Sequence, residues 1–98
     1  MTTYFVTRHA GAREWAEQEG VRVDQLVTHL DMIHIRENDV VIGTLPVNLA
    51  ARVCESGARY LHLSLEIPAE RRGTELTAEE MRAYGANIEE FLIQRRPA

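Results

Sequence analysis

A chain of 98 residues, 45% hydrophobic and 27% charged, is long enough for one packed domain and too rich in apolar side chains to be disordered. Its formal net charge of −4 disfavours non-specific binding to long DNA or RNA, which needs a basic field spread over many phosphates. All 11 basic residues are arginine, a bias that base composition alone can produce and that also suits a local phosphate site, because a planar guanidinium grips phosphate through paired hydrogen bonds.

The run Tyr4-Phe5-Val6-Thr7 predicts a first strand, and Arg8-His9-Ala10-Gly11 breaks it. Ala12 to Glu19 reads as a helix with Trp15 as its core anchor, Glu14, Glu17 and Glu19 toward water, and Gly20 as its left-handed cap. Gln25 to Leu30 predicts a second strand, whereas Met32 to Glu37 fits neither period. Asn38-Asp39 signals a turn before Val40-Val41-Ile42, an apolar run expected to be buried on both faces. A helix follows from Pro46, which suits a first turn, through Val53, and it stops at Gly57. Arg59 to Leu65 alternates as a strand with Leu61, Leu63 and Leu65 on one side. Pro68 to Leu76 reads as a polar loop, and Thr77-Ala78-Glu79-Glu80 as a capping box opening a helix to Tyr84, with Gly85 ending it. Ile88 to Arg95 fits a continued helix, but Phe91 and Ile93 also fit a final strand, and strand is the reading adopted.

Strands alternating with helices predict a single α/β domain over residues 1–98, with a mostly parallel sheet of about five strands and helices on both faces. In such sheets ligands sit beyond the carboxyl ends of the strands. Those ends carry Thr7-Arg8-His9, His29-Leu30-Asp31 and Gly43-Thr44-Leu45-Pro46. Arg8, with amides at a nearby helix start, suits a phosphate oxygen, and His9 suits positioning a phosphate or moving a proton. The alternative is a solvated strand-end arginine and a histidine bonded to a carbonyl. Gly43 admits a ligand close to the backbone, Thr44 offers a hydroxyl, and Asn48 one turn into the helix suits a ribose or base edge. A well-made turn with nothing bound has the same sequence. Arg71-Arg72-Gly73 lies in a loop long enough to cover a ligand, or is a solvated loop that Glu75 neutralises.

His29, Asp31 and His34 fit no standard metal spacing, so no metal is expected. His62, opposite the leucines of its strand, reads as structural. Cys54 stands alone, which excludes an intrachain disulfide and a cysteine zinc site, and it reads as buried rather than nucleophilic. The amino terminus lacks the features of a signal peptide and no run approaches a membrane span, so a cytoplasmic protein with no membrane partner is expected. So small a domain encloses a sizeable ligand most easily across a two-fold interface.

Taken in order, Thr7-Arg8-His9-x-Gly11-Ala12-x-x-Trp15, His29-Leu30-Asp31, Gly43-Thr44-Leu45-Pro46, Gly57-Ala58-Arg59-Tyr60 and Arg72-Gly73-x-Glu75-Leu76-Thr77 resemble, almost end to end, a small CRISPR-associated family of type III systems, the sixteenth of the Csx series. The resemblance implies a Rossmann-like, CARF-related homodimer. It further implies a ring nuclease of antiviral defence that opens cyclic tetra-adenylate without a metal or other cofactor and so ends type III signalling. A ribose 2′-hydroxyl would attack the adjacent phosphorus, leaving a 2′,3′-cyclic phosphate. On that reading Arg8 and His9 are the catalytic candidates. Thr7, Gly11, Gly43, Thr44, Leu45, Pro46, Asn48, Arg71 and Arg72 would bind the ligand. The rival readings are a non-cleaving sensor or sponge of the same messenger and a structural subunit of an effector complex. A histidine phosphatase is the third, but Ala10 interrupts its arginine-histidine-glycine motif and the chain is too short for that fold.

Overall fold

The computed structural model describes residues 1–98. Val40–Gly43 is buried at every position, as a strand covered on both faces must be, and this strand, β3, is the middle of a five-stranded sheet. The others are β1 (Thr3–Val6), β2 (Gln25–Val27), β4 (Arg59–Ser64) and β5 (Asn87–Phe91), in the order β2-β1-β3-β4-β5. The first four run parallel, and β5 pairs antiparallel with β4. The helices are α1 (Ala10–Gln18), α2 (Val47–Glu55) and α3 (Ala78–Ala83).

Because side chains alternate across a strand, Phe5, Val40, Ile42 and Leu63 face one side of the sheet and Tyr4, Val41 and Tyr60 the other. Trp15, Ala12 and Ala16 of α1 join Ala78 and Met81 of α3 on the first side. Ala50 and Val53 of α2, with Ile35, cover the second. Each fully buried large side chain contributes about 1.5–3 kcal/mol, and Trp15, only 3% exposed, is the anchor its sequence position suggested. The sheet is therefore mostly parallel with helices on both faces, as expected. No helix is long and apolar enough to cross a membrane.

Several boundaries differ from the sequence reading. The first helix begins at Ala10 and includes Gly11 rather than starting at Ala12. The second strand ends at Val27, not Leu30, because β1 stops offering partners: the bond from Thr7 N–H to the Val27 carbonyl (2.9 Å) is the last rung. His29 and Asp31 thus lie beyond the strand, and Asp31 caps a single 3₁₀ turn, Met32–His34, within the segment of ambiguous period. Pro46 is the residue before α2 rather than inside it. The last strand stops at Phe91, short of Arg95. The Thr77–Glu80 capping box is formed as predicted.

Asp39 closes the other end of the sheet. Its two carboxylate oxygens accept from the backbone N–H groups of Thr2 and Arg36, each at 2.9 Å, while the residue is only 4% exposed. Burial works against the charged carboxyl, but those two bonds and nearby positive charge outweigh it, so the group titrates below its ordinary value of 3.8. A depressed folded value stabilises the fold fully above the unfolded one, and that contribution is lost as pH falls through the folded one. Asp39→Asn turns an amide donor toward a backbone donor. It is expected to cost about 1–3 kcal/mol at neutral pH and to flatten the loss of stability in acid. Urea denaturation of both proteins across the acidic range checks this.

Candidate functional site at the sheet crossover

From β1 the chain crosses through α1 to β2 on one side; from β3 it crosses through α2 to β4 on the other. The two connections diverge onto opposite faces, and a crevice opens between the carboxyl ends of β1 and β3. A cavity of about 470 Å³ lies there, lined by Thr7, Arg8 and His9 after β1, Thr28 after β2, and Gly43 and Thr44 at the end of β3. Its apolar floor comes from Phe5, Leu63, Leu65, Ile67, Leu76 and Met81, and Gly73 and Thr74 close one side. The volume and the apolar floor with a polar rim are those of a small-molecule site.

The corner after β1 is built by Thr7, whose hydroxyl oxygen accepts from the His9 N–H (3.1 Å) and turns the chain into α1. His9 is the N-cap of that helix, but its side chain does not cap it. Instead His9 Nδ1 lies 2.9 Å from a carboxylate oxygen of Glu75. Arg8 forms no ion pair; its guanidinium only reaches His29 Nδ1, at 3.5 Å. An exposed, unpaired guanidinium beside a helix start is ready for an anion. Neither α1 nor α2 has a side-chain cap or an acidic residue in its first turn, whereas α3 has both. Nothing in those first turns offsets the positive end of either helix, and that of α1 borders the crevice.

The β3 side is fixed from below by Tyr60, which is only 1% exposed. Its hydroxyl accepts from Leu45 N–H (3.0 Å) and lies 3.2 Å from the Gly43 carbonyl and 2.6 Å from His62 Nδ1. Burial pushes this phenol above its ordinary value, so it stays a hydrogen-bond donor at neutral pH. Thr44 donates its hydroxyl hydrogen to the Leu63 carbonyl (3.0 Å), which leaves its oxygen lone pairs for the crevice. A Cβ on Gly43 would stand 3.1 Å from the Val6 carbonyl, so glycine lets β1 and β3 draw together at the crossover.

The structure thus gathers Thr7, Arg8, His9, Gly43 and Thr44 around one cavity. The other expected ligand-binding residues do not line it. Gly11 packs against the Leu76 carbonyl, Leu45 packs with the α2-side core, and Pro46 precedes α2. Asn48 is exposed on α2. Arg71 is half-buried and pairs with Glu80 and the Glu75 carbonyl, so it braces its own segment, while Arg72 points to solvent. His62 is held by Tyr60, and half-buried Cys54 packs beneath β5 with its sulfur 3.8 Å from the Phe91 carbonyl. Sequence reasoning missed Thr28 and the pairing of Glu75 with His9. The first was hidden by a strand drawn too long; the second joins residues 66 positions apart, for which no local signal exists.

The model of the family described as "Putative CRISPR-associated protein (Cas_VVA1548)" matches residues 4–94, from within β1 to beyond the end of β5. No curated protein and no solved structure matches the chain.

Proposed function

The chain belongs to this CRISPR-associated family, and from that premise and the crossover crevice we propose that it is a ring nuclease binding and opening cyclic tetra-adenylate. The observation that carries the reading is the convergence of an unpaired guanidinium, an imidazole and the uncapped start of α1 on one apolar-floored cavity. Phosphate suits the first and last of these, and a nucleobase suits the floor. The cavity holds only part of a cyclic tetranucleotide, so a second copy of the chain, related by a CARF-like two-fold axis, encloses the rest.

In this mechanism Arg8 and the amides opening α1 hold a phosphate so that the neighbouring ribose 2′-hydroxyl lies in line with the departing 5′-oxygen. The new bond is 2′-O to phosphorus and the broken one is phosphorus to 5′-O. The 2′-hydroxyl proton passes to solvent, and His9, entering the step as the imidazolium, gives its second proton to the 5′-oxygen. The product is a linear oligoadenylate ending in a 2′,3′-cyclic phosphate, formed by positioning and fixed dipoles without metal or cofactor. Loss of the ring ends type III signalling in the cytoplasm.

The deciding experiment incubates the purified protein with cyclic tetra-adenylate and a chelator, then resolves the products by chromatography. Linear products with the cyclic phosphate end are expected. An intact ring that stays protein-bound would make the chain a sensor or sponge instead. Arg8→Ala is expected to weaken binding of the ring about 10- to 100-fold, since it removes charge-assisted bonds to phosphate. Calorimetric titration reads this directly, and an unchanged Kd would place the phosphate elsewhere.

A further inference from the structure

Glu75 sits on a short strap, residues 72–77, that crosses the rim between the 3₁₀ turn Ala69–Arg71 and α3. The strap is held by contacts that do not involve the Glu75 carboxylate. The Thr74 hydroxyl donates to the Arg71 carbonyl (2.6 Å), Arg71 bonds the Glu75 carbonyl (3.4 Å) and pairs with Glu80, and the Leu76 carbonyl packs on Gly11. Its backbone therefore brings the carboxylate to a set place, and that place is His9 Nδ1.

An ionised carboxylate has only acceptor atoms, so the hydrogen between them belongs to Nδ1 of His9. In the neutral ring this leaves Nε2 as the free nitrogen. We propose that Glu75 is the positioning residue of the site: it holds His9 in the Nδ1–H form and fixes the ring plane, so that Nε2 is the atom offered to a bound ligand. With side chains 60% and 70% exposed, the two gain little from their mutual attraction. The effect of the pair lies in geometry. Its catalytic consequence rests on the cleavage reading above: in the imidazolium both nitrogens carry hydrogen, Nε2 gives its proton to the 5′-oxygen, and the ring is left neutral in the Nδ1–H form that Glu75 holds.

The test reads the tautomer first and the reaction second. Nitrogen-15 spectra of histidine-labelled protein, at a pH where the imidazoles are neutral, identify His9 by the signal missing in His9→Ala. Wild type is expected to show Nδ1–H. Glu75→Ala is expected to revert to Nε2–H, and Glu75→Gln to keep Nδ1–H because its amide oxygen still accepts. A wild-type His9 in the Nε2–H form, or one indifferent to Glu75→Ala, overturns the proposal. In the cleavage assay Glu75→Ala is expected to lower kcat about 10- to 100-fold with KM little changed, as loss of an orienting partner does, and Glu75→Gln to restore most of the rate. A wild-type kcat in Glu75→Ala also overturns it. Should the wild-type protein leave the ring intact while the tautomer still answers to Glu75, the cleavage reading fails and the positioning role stands.

Discussion

Replacing His9 with alanine is expected to lower kcat for ring opening by about 100- to 10,000-fold, the range for loss of a positioned acid, while ring affinity changes by less than about fivefold. The contrast follows from the rim. Arg8 and the opening turn of α1 remain to hold phosphate when the imidazole is gone, and Thr7 still turns the backbone through its bond to the residue 9 N–H. On the proposed mechanism, what disappears is the proton source for the departing 5′-oxygen. Single-turnover cleavage beside calorimetric binding separates the two effects. A variant that cuts at the wild-type rate would remove His9 from the chemistry, and one that no longer binds would make it a ligand-holding residue.

Gly11→Ala is the second substitution with a large expected effect, and here the readout is stability. A Cβ at position 11 would lie 1.8 Å from the Leu76 carbonyl oxygen and 2.9 Å from its carbon. Both are backbone atoms, so no side-chain rotation relieves the overlap. In an open helix the same change would gain up to about 1 kcal/mol; here the strap must lift off α1, for a net cost of about 2–4 kcal/mol. In a domain of this size that lowers Tm by roughly 10–20 °C, which thermal denaturation followed by circular dichroism measures. The lifted strap also carries Glu75 away from His9, so the variant's residual activity is expected to fall with its stability. A Tm within a few degrees of wild type would mean that the strap yields freely.

Much of the fold was legible because its signals are local. Val40-Val41-Ile42 announced a strand buried on both faces by its apolar run, and Thr77–Glu80 announced a helix start by chemistry completed within four residues. Arg8, His9, Gly43 and Thr44 could be placed at a rim because breakers ended the strands just before or among them, and parallel strands gather their ends. The failures share one cause, namely that the deciding partner is far along the chain. Gly11 looked like a breaker, yet it is the contact point for residue 76. Arg71 looked like a free hand for phosphate until Glu80 took it. Glu75 looked like a neutraliser of arginines and stands instead on His9. The reach of β2 depends on how far β1 extends, which its own residues do not encode. Alternation of apolar residues carries no strand direction, so nothing in Asn87–Phe91 announces that β5 runs against the others.

That reversal of β5 has a practical corollary. Paired Asn87 to Ser64 and Phe91 to Tyr60, the strand enters beside the cavity and leaves at the opposite pole, where Thr3 of β1 also begins. Residues 1–2 and 92–98 therefore both emerge on the side remote from Arg8 and His9. A fluorophore, affinity handle or surface tether attached at either leaves the mouth of the crevice unobstructed, so immobilised protein is expected to capture ligand as freely as protein in solution.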